Sequence, residues 1–208
     1  MRTHSPQQDQ DASKHGAGPF YRAALAWLLA LACAGAAAQP SALAQVMQRL
    51  SAVKASTVRF TEIRRLAALT KPLELSGRLS YVRGGRIEKD VESPYRERTS
   101  IDGDEMVVEP AQGEPRRYAL RGHPAAWAFV EGLRATLGGD LATLERYYRI
   151  SFSGDVEDWT LELAPRDEDM ARYVESIAFR GRGADILSIR VSEAGGNSSA
   201  MTLRPDSS

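Results

Sequence analysis

Two periodicities divide the chain. From Ser41 to Ala55, "SALAQVMQRLSAVKA", apolar Leu43, Val46, Met47 and Leu50 recur at helical spacing with Gln and Arg between them. Ser41 is placed to cap that helix. The period then drops to two. Val58 and Phe60 share one face of "TVRFTEIRRL"; Leu79 and Tyr81 follow Gly77 on one face of "LELSGRLSYV". Arg83-Gly84-Gly85 makes a turn, and strands are expected near 86–91 and 95–101. Asp102-Gly103-Asp104 signals a hairpin, and "EMVVEP" pairs with "RRYAL" around Gln112-Gly113. Charged residues alternate with apolar ones along these strands, which predicts antiparallel sheet with one wet and one dry face.

A helical stretch interrupts the sheet. "HPAAWAFVEGLRATLGGD" places Trp127, Val130 and Leu133 near helical spacing and stops at Gly138-Gly139. Asp140 reads as the N-cap of a second short helix, "LATLERYY". Strands resume at Arg149. Trp159, Leu161 and Leu163 alternate with polar residues; Val174, Ile177 and Phe179 mark the next strand. Leu187, Ile189 and Val191 are expected on one face of another, and Gly195-Gly196-Asn197 turns into "AMTL". The order is helix, strands, two helices, strands, with no internal repeat and no low-complexity linker. The expected class is α+β: one domain over residues 39–203, a strongly curved antiparallel sheet nearly closing on itself, with few free edges. The mid-chain helices cap its mouth or fill its concavity. Residues 204–208 are expected to be a disordered tail.

The N-terminus changes the picture of location. Arg22 precedes "AALAWLLALACAGAAAQP", whose apolar run and small residues at Ala36 and Ala38 make a secretory signal with cleavage after Ala38. Residues 1–38 are therefore a signal peptide and the protein is expected in the periplasm. Cleavage removes three basic residues (Arg2, Lys14, Arg22) and two acidic ones (Asp9, Asp11), so a chain of zero formal charge stays near neutral. A neutral surface argues against nucleic acid as a partner. The single Cys, Cys33, excludes an internal disulfide. It lies inside the signal; were it lipidated, the protein would be a membrane-anchored acceptor.

Candidate chemistry is sparse. After cleavage the only His is His123, before Pro124 at a helix start, and no nucleophile elbow accompanies it. No His, Cys and carboxylate spacing marks a metal site. The acidic runs at Glu157-Asp158 and Asp167-Glu168-Asp169 read as solvated turns, and Arg64-Arg65 and Arg116-Arg117 as wet strand faces. No enzyme, metal or cofactor is expected. Phe60, Leu79, Tyr81, Trp127, Leu133, Trp159 and Leu161 either line an apolar cavity or fill a core.

"LSGRLSYVRGGRIEKDVESPYRERTSIDGDEMVV" and "LRATLGGDLATLERYYRISFSGDVEDWTLELAPRD" resemble the LolA-type periplasmic lipoprotein carriers, in a divergent branch, over about Ser41 to Leu203. The resemblance implies an unclosed antiparallel β-barrel, a half-barrel with a helical lid over an apolar cavity. That cavity would take acyl chains of lipoproteins or other envelope lipids, received from an inner-membrane donor and passed to an outer-membrane acceptor by a monomer. It implies that Arg83, at the family's latch position, holds the lid by hydrogen bonds. Gly84 stands where the family usually has Pro, and Ile87, Glu88 and Lys89 stand where aromatic residues are expected. An envelope sensor or assembly module on the same fold is the alternative, and a hydrolase of envelope lipids a third.

Overall fold

The structure, a computed structural model, describes residues 40–206. The signal segment 1–38, with Cys33, and the last two residues lie outside the described residues.

The helix α1 (Ala42–Ala52) starts where Ser41 Oγ accepts a hydrogen bond from the Ala44 amide at 3.2 Å, one of the donors a helix start leaves unpaired. Val46, Met47 and Leu50 are its buried stripe. Six strands follow: β1 (Ala55–Arg65), β2 (Leu73–Val82), β3 (Arg86–Ser93), β4 (Glu97–Asp102), β5 (Glu105–Pro110) and β6 (Arg116–Ala119). A single 3-10 turn (Leu120–Gly122) leads into α2 (Pro124–Gly138) and α3 (Leu141–Tyr147). Then come β7 (Tyr148–Gly154), β8 (Trp159–Pro165), the one-turn α4 (Glu168–Ala171), β9 (Val174–Arg182), β10 (Asp185–Glu193) and β11 (Ser198–Pro205).

All eleven strands form one antiparallel sheet in the order β6-β5-β4-β3-β2-β1-β11-β10-β9-β8-β7. Each block is a meander, and the two blocks join where β1 pairs β11, Phe60 opposite Leu203 and Glu62 opposite Met201. The sheet stays open between β6 and β7, so the fold is the curved half-barrel expected. Helices pack across its inner face, and the outer face carries ion pairs such as Arg59–Glu92 at 2.8 Å and Arg180–Asp158 at 3.1 Å.

Both helix boundaries in the middle follow the expected chemistry. Gly139 caps α2 in the left-handed conformation at φ 66°, and a Cβ there would stand 2.2 Å from the Met47 carbonyl oxygen of α1. Only glycine allows both the turn and the close approach. Asp140 caps α3, accepting from Thr143 N at 3.0 Å.

Two expectations need correction. Arg204 and Pro205 continue β11 opposite Arg59 and Val58, and Asp206 accepts from Arg78 Nε at 3.1 Å, so the ordered chain runs past Leu203. A register shift between Ile186 and Ser188 breaks the strict alternation, so that Ile186 as well as Leu187 turns to the concave side. Leu187 is exposed there, while Ile189 is buried and Val191 half-buried. The cause is a bulge, which adds one residue to the strand and reverses the alternation locally.

Candidate functional site

The concave face is filled on one side and hollow on the other. Over β7, β8 and β9 the interior is solid. Trp159, Leu161, Leu163, Ile177 and Phe179 are fully buried, and Trp159 lies across Gly181, where a Cβ would stand 2.1 Å from its ring. Tyr148 joins them and donates from its hydroxyl to the Ala128 carbonyl of α2 at 2.5 Å; burial pushes its pKa up, keeping the phenol protonated.

Over β1 to β5 and β10–β11 the helices leave space. A hollow of about 450 Å³ lies between α2 and the sheet, lined by residues including Leu75, Leu79, Val91, Phe129, Ile189 and Met201. A second, of about 310 Å³, lies toward the end of α1, with Leu50, Val53, Tyr81, Ile186 and Leu203 in its wall. Leu79, Ile87, Leu133 and Ile189 line both, so the two adjoin across these four side chains. The walls are largely apolar, and the larger hollow is of the size that takes a small ligand.

One end of the larger hollow is charged. Glu62, on the inner face of β1 next to Phe60, is only 2% exposed. It receives Lys89 Nζ, Ser199 Oγ at 2.6 Å, and Arg64 through Nη2 at 3.0 Å and Nε at 3.2 Å. Burial pushes the Glu62 carboxyl up, but Lys89, Ser199 and Arg64 together outweigh it and hold it below the ordinary carboxylate range. Lys89 reaches Glu62 from β3 across β2, passing Phe60 with its ammonium 4.9 Å from the ring centroid. The residue opposite Phe60 on the intervening strand is Gly77, which contributes no side chain to that path.

The turn between β2 and β3 ties down both helices that cover the hollows. Arg83 donates through Nη2 to the Ser51 carbonyl and to the Val53 carbonyl at 3.3 Å, holding the last turn of α1, while its amide donates to Lys54 O at 2.8 Å. From the other side, Arg134 of α2 donates through Nε to the Gly85 carbonyl at 2.8 Å. Its Nη2 is buried and has no partner among the described residues.

The structure brings together only part of the expected set. Leu79 and Leu133 line both hollows and Tyr81 the smaller one. Phe60 is buried under Lys89 and lines neither. Trp159 and Leu161 belong to the solid half, because each faces β9 and the core beneath α2 and not the open space. Trp127 is half-buried and packs edge-on against Tyr147, ring centroids 5.1 Å apart. Arg83 contacts α1 and touches no hollow. Arg64, expected on a wet face, is on the inner one. His123 rests edge-on against Tyr118 at the start of α2. Sequence reading missed Glu62 and Lys89, although the signal was present. Glu62 continues the dry alternation Val58-Phe60-Glu62, and Lys89 sits between Ile87 and Val91.

The fold and site define an open antiparallel half-barrel wrapped around a largely apolar hollow, with helices laced over it. Residues 34–204 match the family described as outer membrane lipoprotein carrier protein LolA-like, and the chain belongs to that family. No curated protein matches it. Among solved structures it is similar to a LolA superfamily protein from Nitrosomonas europaea, at 10% identity over 76% of this chain and 90% of that one, TM-score 0.39. It is also similar to a DUF1329 family protein from Desulfovibrio piger (14% identity, 79% and 91%, TM-score 0.45) and to LprF from Mycobacterium bovis (9%, 78% and 91%, TM-score 0.34). At these identities the assignment rests on the family match alone.

Proposed function

We propose that this protein is a periplasmic carrier that shelters acyl chains of lipoproteins or related envelope lipids and delivers them toward the outer membrane. The hollow between α2 and the sheet carries the reading. An acyl chain in water exposes methylenes at about 0.8 kcal/mol each, and a largely apolar space beside Leu79, Ile87 and Leu133 takes that surface out of water without any covalent step. Among the described residues no group of His, Cys, Asp and Glu is placed to hold a metal, and sequestration needs none. The turn 83–85 grips α1 and α2 through few hydrogen bonds. Opening the lid would break these hydrogen bonds together with the apolar contacts of Val46, Leu50, Val130 and Leu133 beneath the helices, so an incoming membrane or acceptor would have to replace that burial. The signal segment would deliver the chain to the periplasm, where a donor in the inner membrane and an acceptor in the outer membrane are the partners of a monomer.

The test uses the mature chain and a fluorescent acyl probe. Saturable uptake is expected, and Leu79→Glu should abolish it while circular dichroism stays unchanged. Undiminished uptake in that variant, or no uptake by the wild type, would refute the carrier.

A further inference from the structure

The inner face of the sheet, along and beside the two adjoining hollows, is graded along several strands. On β1 the inner face runs Val58, Phe60, Glu62, Arg64. On β11, paired with it, the sequence Leu203, Met201, Ser199 changes in the same direction. Ile189 and Val191 on β10 give way to Glu193; Ile101 and Thr99 on β4 give way to Glu97. Lys89, opposite Thr99, lies toward the same end. Four strands, β1, β4, β10 and β11, thus run from apolar at the α1 end to polar or charged at the other, while Leu75 of β2 and Val91 of β3 keep an apolar floor beneath the charges; this is the polarity of an amphiphile and not of a plain hydrocarbon.

The charges at that end specify more. Glu62 is saturated by Lys89, Arg64 and Ser199, so it has little left to offer a ligand. The two cations are not saturated. Glu62 is the only hydrogen-bond partner of Lys89 among the described residues, and Arg64 Nη1 has none. Glu193 accepts from Asn197 Nδ2 at 3.1 Å, and Glu97 makes no ion pair among the described residues. Donors and acceptors are therefore both unspent. With three carboxylates against two cations, a purely anionic head group gains little net attraction here.

We propose that this end receives the head group of a zwitterionic amphiphile. An anionic oxygen would lie against Lys89 and Arg64 and a primary ammonium against Glu97, beside Lys89, with the acyl chain running toward Leu79 and Ile87. The proposal rests on the carrier reading and names its ligand class.

The experiment is displacement of the bound acyl probe by three lipids of equal chain length: lysophosphatidylethanolamine, lysophosphatidic acid and monoacylglycerol. The zwitterion should compete about tenfold better than either, the effect of one charge-assisted hydrogen bond. Glu97→Gln should erase most of that preference. So should the double variant Glu62→Gln with Lys89→Met, which removes both members of the buried pair and leaves no orphaned charge between them. Equal competition by all three lipids, a preference for lysophosphatidic acid, or an unchanged ranking in folded variants overturns the head-group assignment while the carrier stands. Failure of the probe itself to bind overturns both.

Discussion

At Glu62, burial and charge pull against each other. Its neighbours win, and the consequence is a pH dependence of fixed sign. The folded carboxyl is held below its unfolded value, so the unfolded chain binds the extra proton first as the pH falls. Stability supplied by the cluster is complete above the ordinary carboxylate range and is lost as the pH drops through the lowered value. Thermal unfolding measured from neutral to acid pH should show this limb, and Glu62→Gln should flatten it. Removing Lys89 alone is a harsher change than removing the pair, since it leaves a buried carboxylate with fewer donors. Leu161 offers the contrast. Fully enclosed in the solid half, Leu161→Glu should unfold the protein and not merely empty the hollow, so Leu79 is the residue at which binding and folding separate.

Among the elements, the short turn between β2 and β3 does more than reverse the chain. Arg83 reaches α1 and Arg134 reaches back from α2, so two guanidinium groups on opposite sides of the turn secure the cover. The two should respond differently. Arg83→Met removes exposed hydrogen bonds worth about 1 kcal/mol and should speed hydrogen exchange in the last turn of α1. Arg134→Met also relieves a buried, unpartnered Nη2, so the loss of global stability should be smaller than the number of lost contacts suggests, while probe uptake and release quicken. Stopped-flow probe kinetics beside a melting curve separates these outcomes; unchanged kinetics in both variants would remove the turn as the point where the cover is held.

For the whole molecule, enclosure of a ligand must appear as stability. A lipid that binds the folded chain alone at a hundred times its Kd adds about 2.7 kcal/mol, so a cognate amphiphile should raise the melting temperature in a concentration-dependent way. The architecture behind that prediction was readable in advance. The change of period from helical to two at Val58, the caps Ser41 and Asp140, and the stop at Gly139 are local chemistry and are found where expected. The cavity wall was less readable. Trp159 and Leu79 share the same alternation with their neighbours, and nothing local says that one lies under packed helix and the other beside open space.

The chain alone determined the elements, their order and the openness of the sheet's chemistry to an apolar interior, because capping, turn formation and alternation depend on residues a few positions apart. Only the tertiary structure decided where the interior is empty and where the charges meet. Glu62, Lys89 and Ser199 come from strands far apart in sequence. Their cost when buried singly becomes a stable cluster only once β1 pairs β11 and Lys89 reaches across β2.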